Sequence, residues 1–349
     1  MGLQMVLVSR LAALVLLGCV VAANASETTP MSSRILDPDE QVERIVFASC
    51  YVPQFEKPEI WNTVAEHEPD VLIMMGDNVY QSEEKTEPEL LELREAYAMF
   101  AAEEEFADLR EQTAVFATWD DHDYGLNNAG AEMPVRYESE QLFEEVWPLP
   151  QEIEDPRAGR DGIYHAVTLG PSGQRVQLIL LDTRFFRGPL EAPETSTYLG
   201  DAQWAWLAEQ LQTPAELRLL VTSVPLLSEF DDAENWHRIP SEKARLLALL
   251  EDAGNVVVMS GDSHYAAHYV DETRLSSKLH EFTSSSLNFP YPQTQAEKVL
   301  RADALRREAP LLGANFGLLE IDWRANEVAV VIKGFDDSTH FQTAIDIVN

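Results

Sequence analysis

The sequence predicts an α/β fold with much of its sheet parallel. Two observations predict it: short apolar runs alternate with helical patterns, and three runs stop abruptly on acidic and histidine residues. Residues 71–75 end on Gly76-Asp77-Asn78-Val79-Tyr80, residues 114–119 on Asp120-Asp121-His122-Asp123, and residues 256–259 on Ser260-Gly261-Asp262-Ser263-His264. Continuous apolar runs of this length read as strands buried on both faces. Ligands of open α/β sheets bind at the carboxyl ends of the strands. Three ends carrying oxygen and nitrogen donors therefore point to one metal site assembled from distant segments.

In chain order, strands are expected at residues 45–48, 71–75, 114–119, 176–181, 217–222, 256–259, 279–283, 316–321 and 328–332. Helical patterns lie at 59–67, 88–109, 139–146, 201–212, 241–252 and 294–308, with Asp201 and Ser241 read as N-caps. The last two strands, joined at 322–327 with Asn326 in the turn, read as an antiparallel hairpin. Residues 151–161 and 185–197 read as loops. No repeat, low-complexity tract or linker divides residues 26–349, which are expected to form a single domain.

Residues 1–25 read as a signal peptide. Arg10 precedes an apolar run over 11–22, and Ala23-Asn24-Ala25 fits the small-x-small cleavage pattern. The run is too short for a good transmembrane anchor. Leu16-Leu17-Gly18-Cys19 loosely fits a lipobox that would leave a lipid on Cys19, but the apolar residues after Cys19 argue against it. Either processing predicts an exported chain, periplasmic or secreted. Cys50 is then the one cysteine left to the folded domain, without an internal disulfide partner. Asp and Glu number 60 against 25 Lys and Arg, a formal charge of −35. Such a field attracts cations and repels nucleic-acid backbones and anionic membranes, so neither is an expected partner. Most of this charge reads as a solvated surface.

Asp77 and Tyr80, three apart on a turn, suit one ion. A phenolate ligand favours a hard trivalent metal, because only a strong Lewis acid depresses a tyrosine pKa of about 10 far enough. That points to Fe(III). In Asp120-Asp121-His122-Asp123, three carboxylates surround one imidazole, reading as a ligand beside a catalytic acid/base rather than a solvated capping turn. Asp262 and His264, at i and i+2 of an extended segment, face the same side. Cys50, at the end of the first strand, reads as a thiolate ligand more readily than as a buried bystander.

Together, Phe47-Ala48-Ser49-Cys50, Gly76-Asp77-Asn78-Val79-Tyr80, Thr118-Trp119-Asp120-Asp121-His122-Asp123-Tyr124-Gly125, Leu181-Asp182-Thr183-Arg184 and Gly261-Asp262-Ser263-His264 resemble the PhoD-like alkaline phosphatases of the calcineurin-like metallophosphatase superfamily. The resemblance runs over nearly the whole mature chain in the expected order. It implies a four-layer αββα sandwich with mixed sheets and a two-metal centre between strand ends. Carried over by position, Asp77 bridges both ions and Cys50, Tyr80 and His264 complete the first, Fe(III). The Asp-x-x-Tyr pattern also matches purple acid phosphatases. Asp121 and Asp262 hold the second ion, where carboxylate donors favour Ca²⁺ over Mg²⁺, Mn²⁺ or Zn²⁺. Asn127 adds a ligand or a phosphate contact.

The implied reaction is in-line attack on a phosphomonoester or phosphodiester by a hydroxide held on the metal pair, with His122, oriented by Asp123, as acid/base. Arg184 is expected either to grip the phosphate bidentately or to pair with a carboxylate. Trp236 and His237 either line the leaving-group pocket or simply pack. The sequence departs from the pattern in three places. Ser223-Val224-Pro225 stands where the superfamily often has His-x-Pro, and Asn127-Asn128 where the family often has Asn-Asp. The leader also runs almost straight into the first strand, where some members carry an accessory domain. The competing class is a non-catalytic metal or phosphate binder on the same fold.

Overall fold

The computed structural model describes residues 28–55, 59–81, 86–152, 154–230, 234–273 and 278–348. The signal-peptide assignment to residues 1–25 and the lipobox at Cys19 lie outside the described residues. Two six-stranded mixed sheets form the centre. The first runs in the order β12 (Thr339–Asp346), β11 (Glu327–Gly334), β10 (Asn315–Asp322), β1 (Arg44–Ala48), β2 (Val71–Met75), β3 (Ala114–Thr118). The second runs β4 (His165–Leu169), β5 (Val176–Leu180), β6 (Leu217–Thr222), β7 (Val256–Ser260), β9 (Leu279–Ser284), β8 (Ala266–Asp271).

Alternate strand residues are buried on opposite faces, which makes the sheets inner layers. Ile45, Phe47, Ile73, Met75 and Phe116 pack against Leu178, Leu219, Val221 and Met259 in one apolar cluster between the sheets. The opposite face of the first sheet (Val46, Leu72, Met74, Val115) is covered by α1 (Glu59–Ala65), α2 (Leu91–Ala101), α3 (Glu104–Gln112) and α5 (Arg136–Val146). Trp204 of α6 (Gly200–Gln210) and Leu246 of α7 (Pro240–Glu251) cover Ile179, Leu220 and Val258 of the second. This is the four-layer αββα sandwich, and the expected hairpin is present: β10 and β11 pair antiparallel from Asp322↔Glu327, with Asn326 at φ 55°.

Three expectations need correction. The helical pattern over 88–109 breaks into α2 and α3 at Glu103, which adopts extended backbone. Its carboxylate there accepts from the Tyr51 hydroxyl at 2.6 Å and the Trp61 indole at 3.0 Å, two donors otherwise stranded in the core. Of the pattern over 294–308, only Ala296–Val299 forms an α-helix, α8, entered through a 3-10 turn at Gln293–Gln295. The chain beyond it runs beside β8 instead, with Val270 N–H donating to Leu305 O and Arg307 N–H to His268 O, each at 2.9 Å, which covers a sheet edge. Asp201 and Ser241 are not N-caps. Pro240 occupies the first helical turn of α7, and Gly200 N–H donates to the Thr197 hydroxyl at the start of α6.

Parallel pairing aligns the carboxyl ends of β1, β2 and β3 in one sheet and of β5, β6, β7 and β9 in the other, and donors that follow β1, β2, β3 and β7 come within 4.8 Å of one another in overlapping groups. Those ends carry the residues the sequence singles out.

Candidate metal centre

Each strand end is shaped before it carries chemistry. Gly76 closes β2 at φ +104°, and a Cβ there would meet the Asp120 Cβ at 2.7 Å, so only glycine lets the ends of β2 and β3 lie this close. A Cβ on Gly261 would sit 2.6 Å from the Ser49 hydroxyl, which brings β7 against β1 in the same way. Cys50 (φ 58°), Asp77 (φ 51°), Asp262 (φ 61°) and His264 (φ 59°) all hold left-handed backbone. For non-glycine residues each such position costs roughly 1–2 kcal/mol, so the fold spends stability to aim four donors inward.

Among the described residues three overlapping groups of donors result, each with its ligand atoms within 4.8 Å of one another: Cys50, Asp77 and His264; Asp77, Asp121 and His122; and Asp77, Asp120, Asp121 and Asp262. Asp77 belongs to all three. The Tyr80 hydroxyl donates to Asp77 Oδ2 at 2.8 Å, and Cys50 Sγ lies 3.5 Å from the same oxygen and 3.1 Å from the Ser285 hydroxyl. His264 Nδ1 faces the Phe289 carbonyl at 2.8 Å. A carbonyl only accepts, so Nδ1 carries the proton and Nε2 keeps its lone pair for a cation. Burial pulls the His264 pKa down, which keeps the imidazole neutral.

The electrostatics call for cations. Burial and the neighbouring carboxylates push Asp77, Asp120 and Asp262 well above the usual carboxylate range. Burial and the Asp77 carboxylate push the Cys50 thiol and the Tyr80 phenol up. Asp121 goes the other way: against its burial, Arg184, His122 and the Asn128 amide hold it down to about 2. Four carboxylates this close cannot all ionise in a buried site on their own. Asp120 Oδ2 and His122 Nδ1 are, in addition, buried without a hydrogen-bond partner. Hard oxygen donors, one thiol and two imidazoles, drawn together with unused lone pairs, fit bound metal ions.

The other sequence candidates fall differently. Asp123 does not orient His122: its carboxylate accepts from the Asn78 amide at 3.0 Å, the Asn78 side chain at 3.1 Å and the Asp120 amide at 3.1 Å. It closes a capping box with Asp120 over the short helix α4 (Asp121–Tyr124), so its lone pairs are committed to these backbone amides and the Asn78 side chain. His122 is positioned by its own amide, which donates to Asp77 Oδ1 at 3.3 Å, and by its ring against Tyr80, centroids 4.2 Å apart. Arg184 is fully buried, with Nε on Asp120 Oδ1 at 2.6 Å and Nη1 on Glu234 Oε2 at 2.8 Å, and so makes the ion pair. Asn127 is exposed in the turn after α4; the neighbouring Asn128 amide donates to Asp121 Oδ2 at 2.6 Å. Trp236 is core, its ring tilted against Tyr198 with centroids 4.7 Å apart and its indole N–H donating to the Thr222 hydroxyl, while His237 is exposed.

Two residues of the site escape the sequence reading. Asp120 stands in the quoted acidic block, but only the fold shows its carboxylate joining the cluster and accepting from Ser223 at 2.6 Å. Ser223 is the serine of Ser223-Val224-Pro225, so the position that often holds an imidazole here steadies a carboxylate. Glu234 has no motif to reveal it; it matters because it shares Arg184 with Asp120 and also faces Arg187 at 3.2 Å.

Comparison with known proteins bears on the fold and the family. The solved structure of PhoD superposes with a TM-score of 0.69 at 17% identity, over 90% of this chain and 70% of that one. GAP50, the anchor in the inner membrane complex of Plasmodium, superposes with a TM-score of 0.57 at 14% identity, over 89% of this chain and 90% of that one. At such identities the likeness is one of fold. No curated protein matches the chain. The family model for PhoD-like phosphatases, however, matches residues 45–332, the stretch from β1 through β11 that contains every donor described above. On that match the chain belongs to the PhoD-like phosphatase family, and is a metal-dependent hydrolase of phosphoric esters.

Proposed function

We propose that the chain is exported and hydrolyses a small phosphomonoester or phosphodiester at the Asp77-centred cluster, with His122 as the general acid. The observation that carries this reading is the meeting of Cys50, Asp77, Asp121, Asp262 and His264 with His122 at the ends of β1, β2, β3 and β7. Cys50, Tyr80, His264 and Asp77 would hold Fe(III), and Asp77, Asp121, Asp262 and Asp120 a hard divalent ion, Ca²⁺ by its all-oxygen set. When bound, such a pair lowers the pKa of water and neutralises phosphoryl oxygens. Hydrolysis forms one P–O bond from water and breaks the P–O bond to the leaving alcohol. His122, held beside Asp77 and Tyr80, gives the departing oxygen its proton. Arg184 acts as a positioning residue through Asp120. The apolar leader over residues 11–22 and its small-x-small end support export. Family membership sets aside the non-catalytic binder.

His122→Ala tests the assignment. It should keep the fold and the metal content and lower kcat by about a hundredfold, the usual scale of a lost general acid. His122 also lies within ligand reach of Asp77 and Asp121. Loss of metal with unchanged turnover per remaining ion would therefore make it a ligand instead.

Cys50 gives a separate check. A metal-bound thiolate is blocked toward alkylating reagents until a chelator strips the site. Labelling of folded, metal-loaded protein should be slow and rise sharply with chelator, and Cys50→Ser should lose iron. Equal labelling in both conditions, with full iron in Cys50→Ser, would assign the thiol to packing.

A further inference from the structure

Four aromatic rings run outward from the site in a file. His122 lies 4.2 Å from Tyr80, Tyr80 lies 5.1 Å from Phe289, and Phe289 lies 5.4 Å from Phe55, centroid to centroid. The file begins beside the proposed proton donor and ends in solvent, because Phe55 is 47% exposed. Among the described residues it is the one exposed large apolar side chain whose ring partner also touches a candidate ligand, Phe289 packing at 4.8 Å from His264.

The file is built on braced backbone. The Asn288 side chain accepts from Val52 N–H at 2.8 Å and donates to Val52 O at 2.9 Å, tying the turn Pro53–Phe55 to the loop after β9. Leu287 N–H donates to Ser49 O at 2.9 Å, and the Gln54 amide reaches the Tyr80 carbonyl at 3.4 Å. Phe55 and Phe289 meet edge to face at 84°, which leaves no slot between them. What they offer a ligand is the exposed part of Phe55, a platform rather than a clamp.

We infer that this rim is the leaving-group subsite and that it selects phosphoesters whose leaving group carries a planar, uncharged aromatic ring. The inference rests on the function proposed above: with His122 as the acid, the departing oxygen lies at the inner end of the file, and its substituent extends along Tyr80, Phe289 and Phe55. An aromatic face stacks a flat ring, and removing such a face commonly weakens binding about fivefold or more per base. The formal charge of −35 disfavours leaving groups that bring further negative charge, and an uncharged ring brings none.

The test compares adenosine 5′-monophosphate with ribose 5-phosphate, and the methyl diester of each. The departing oxygen is a ribose 5-hydroxyl oxygen in both members of each pair, and the leaving groups differ by the base alone. Wild-type enzyme should favour the base-bearing substrate about tenfold or more in kcat/KM, and Phe55→Ala should cut that ratio at least about fivefold. Equal kcat/KM for both substrates in the wild type, or a ratio unmoved in Phe55→Ala, overturns the inference. So does a change in oligomeric state caused by Phe55→Ala, since the ring would then belong to a contact between copies. If none of the four esters is turned over, the proposed function fails, and calorimetry with adenosine against ribose reads the rim alone. Adenosine binding that weakens at least about fivefold in Phe55→Ala supports the platform, and its absence in the wild type refutes it.

Discussion

Asp77→Asn is expected to fold, to lose its hold on metal and to hydrolyse phosphoesters about a thousandfold more slowly, a loss of about 4 kcal/mol of transition-state stabilisation. No other side chain belongs to all three donor groups, so one substitution weakens every part of the centre. Asparagine keeps the shape: its one carbonyl oxygen can still accept from the His122 amide, while its NH2 group can donate to the Tyr80 hydroxyl oxygen. It cannot supply the charge shared with Asp120, Asp121 and Asp262. The same reasoning fixes the sign of the stability effect. In metal-free protein the substitution removes one of four crowded carboxyl groups that cannot all ionise, so stripped Asp77→Asn should melt at or above stripped wild type. A variant that melts well below it while keeping metal and turnover would make Asp77 a scaffold residue.

Arg184→Ala should act through the fold first. The guanidinium is fully buried, and although burial alone lowers its pKa, Asp120 and Glu234 raise it well above the ordinary value. Removing it strands two buried carboxylates, and breaking such a pair from one side costs about 3–5 kcal/mol. The melting temperature should fall accordingly, and activity should drop with it as Asp120 loses its anchor at 2.6 Å. Arg184→Lys should recover little, because one ammonium cannot reproduce a fork reaching Asp120 and Glu234 at once. Normal melting with only a raised KM for substrate would instead mean that Arg184 contacts phosphate.

The strand ends were legible because physics writes them in short words. A strand buried on both faces of a parallel sheet runs largely apolar, and its stop at Gly76-Asp77 or Gly261-Asp262 marks where the chain leaves the core with donors in hand. The strands β4, β8 and β12 were not legible. His165–Leu169 and Thr339–Asp346 alternate or carry many polar residues, and the histidine and aspartate in Ala266–Asp271 hide a strand that is buried throughout. The spacing of Asp120 and Asp123 was open to a reading as a capping box, which would have released Asp123 from catalysis. Helix 294–308 failed because backbone pairing with β8 outweighed periodicity. The ring file had no local signature at all, since Phe55, Tyr80, His122 and Phe289 meet only through tertiary structure.

The most direct measurement is a metal titration of chelator-stripped wild-type protein, following bound metal, visible absorption and phosphoester turnover together. The account predicts no turnover without metal and a rise that completes near about two ions per chain. With iron bound, a charge-transfer band should appear that is missing from Tyr80→Phe. Full turnover by metal-free protein, or an iron-loaded protein without colour, would contradict it.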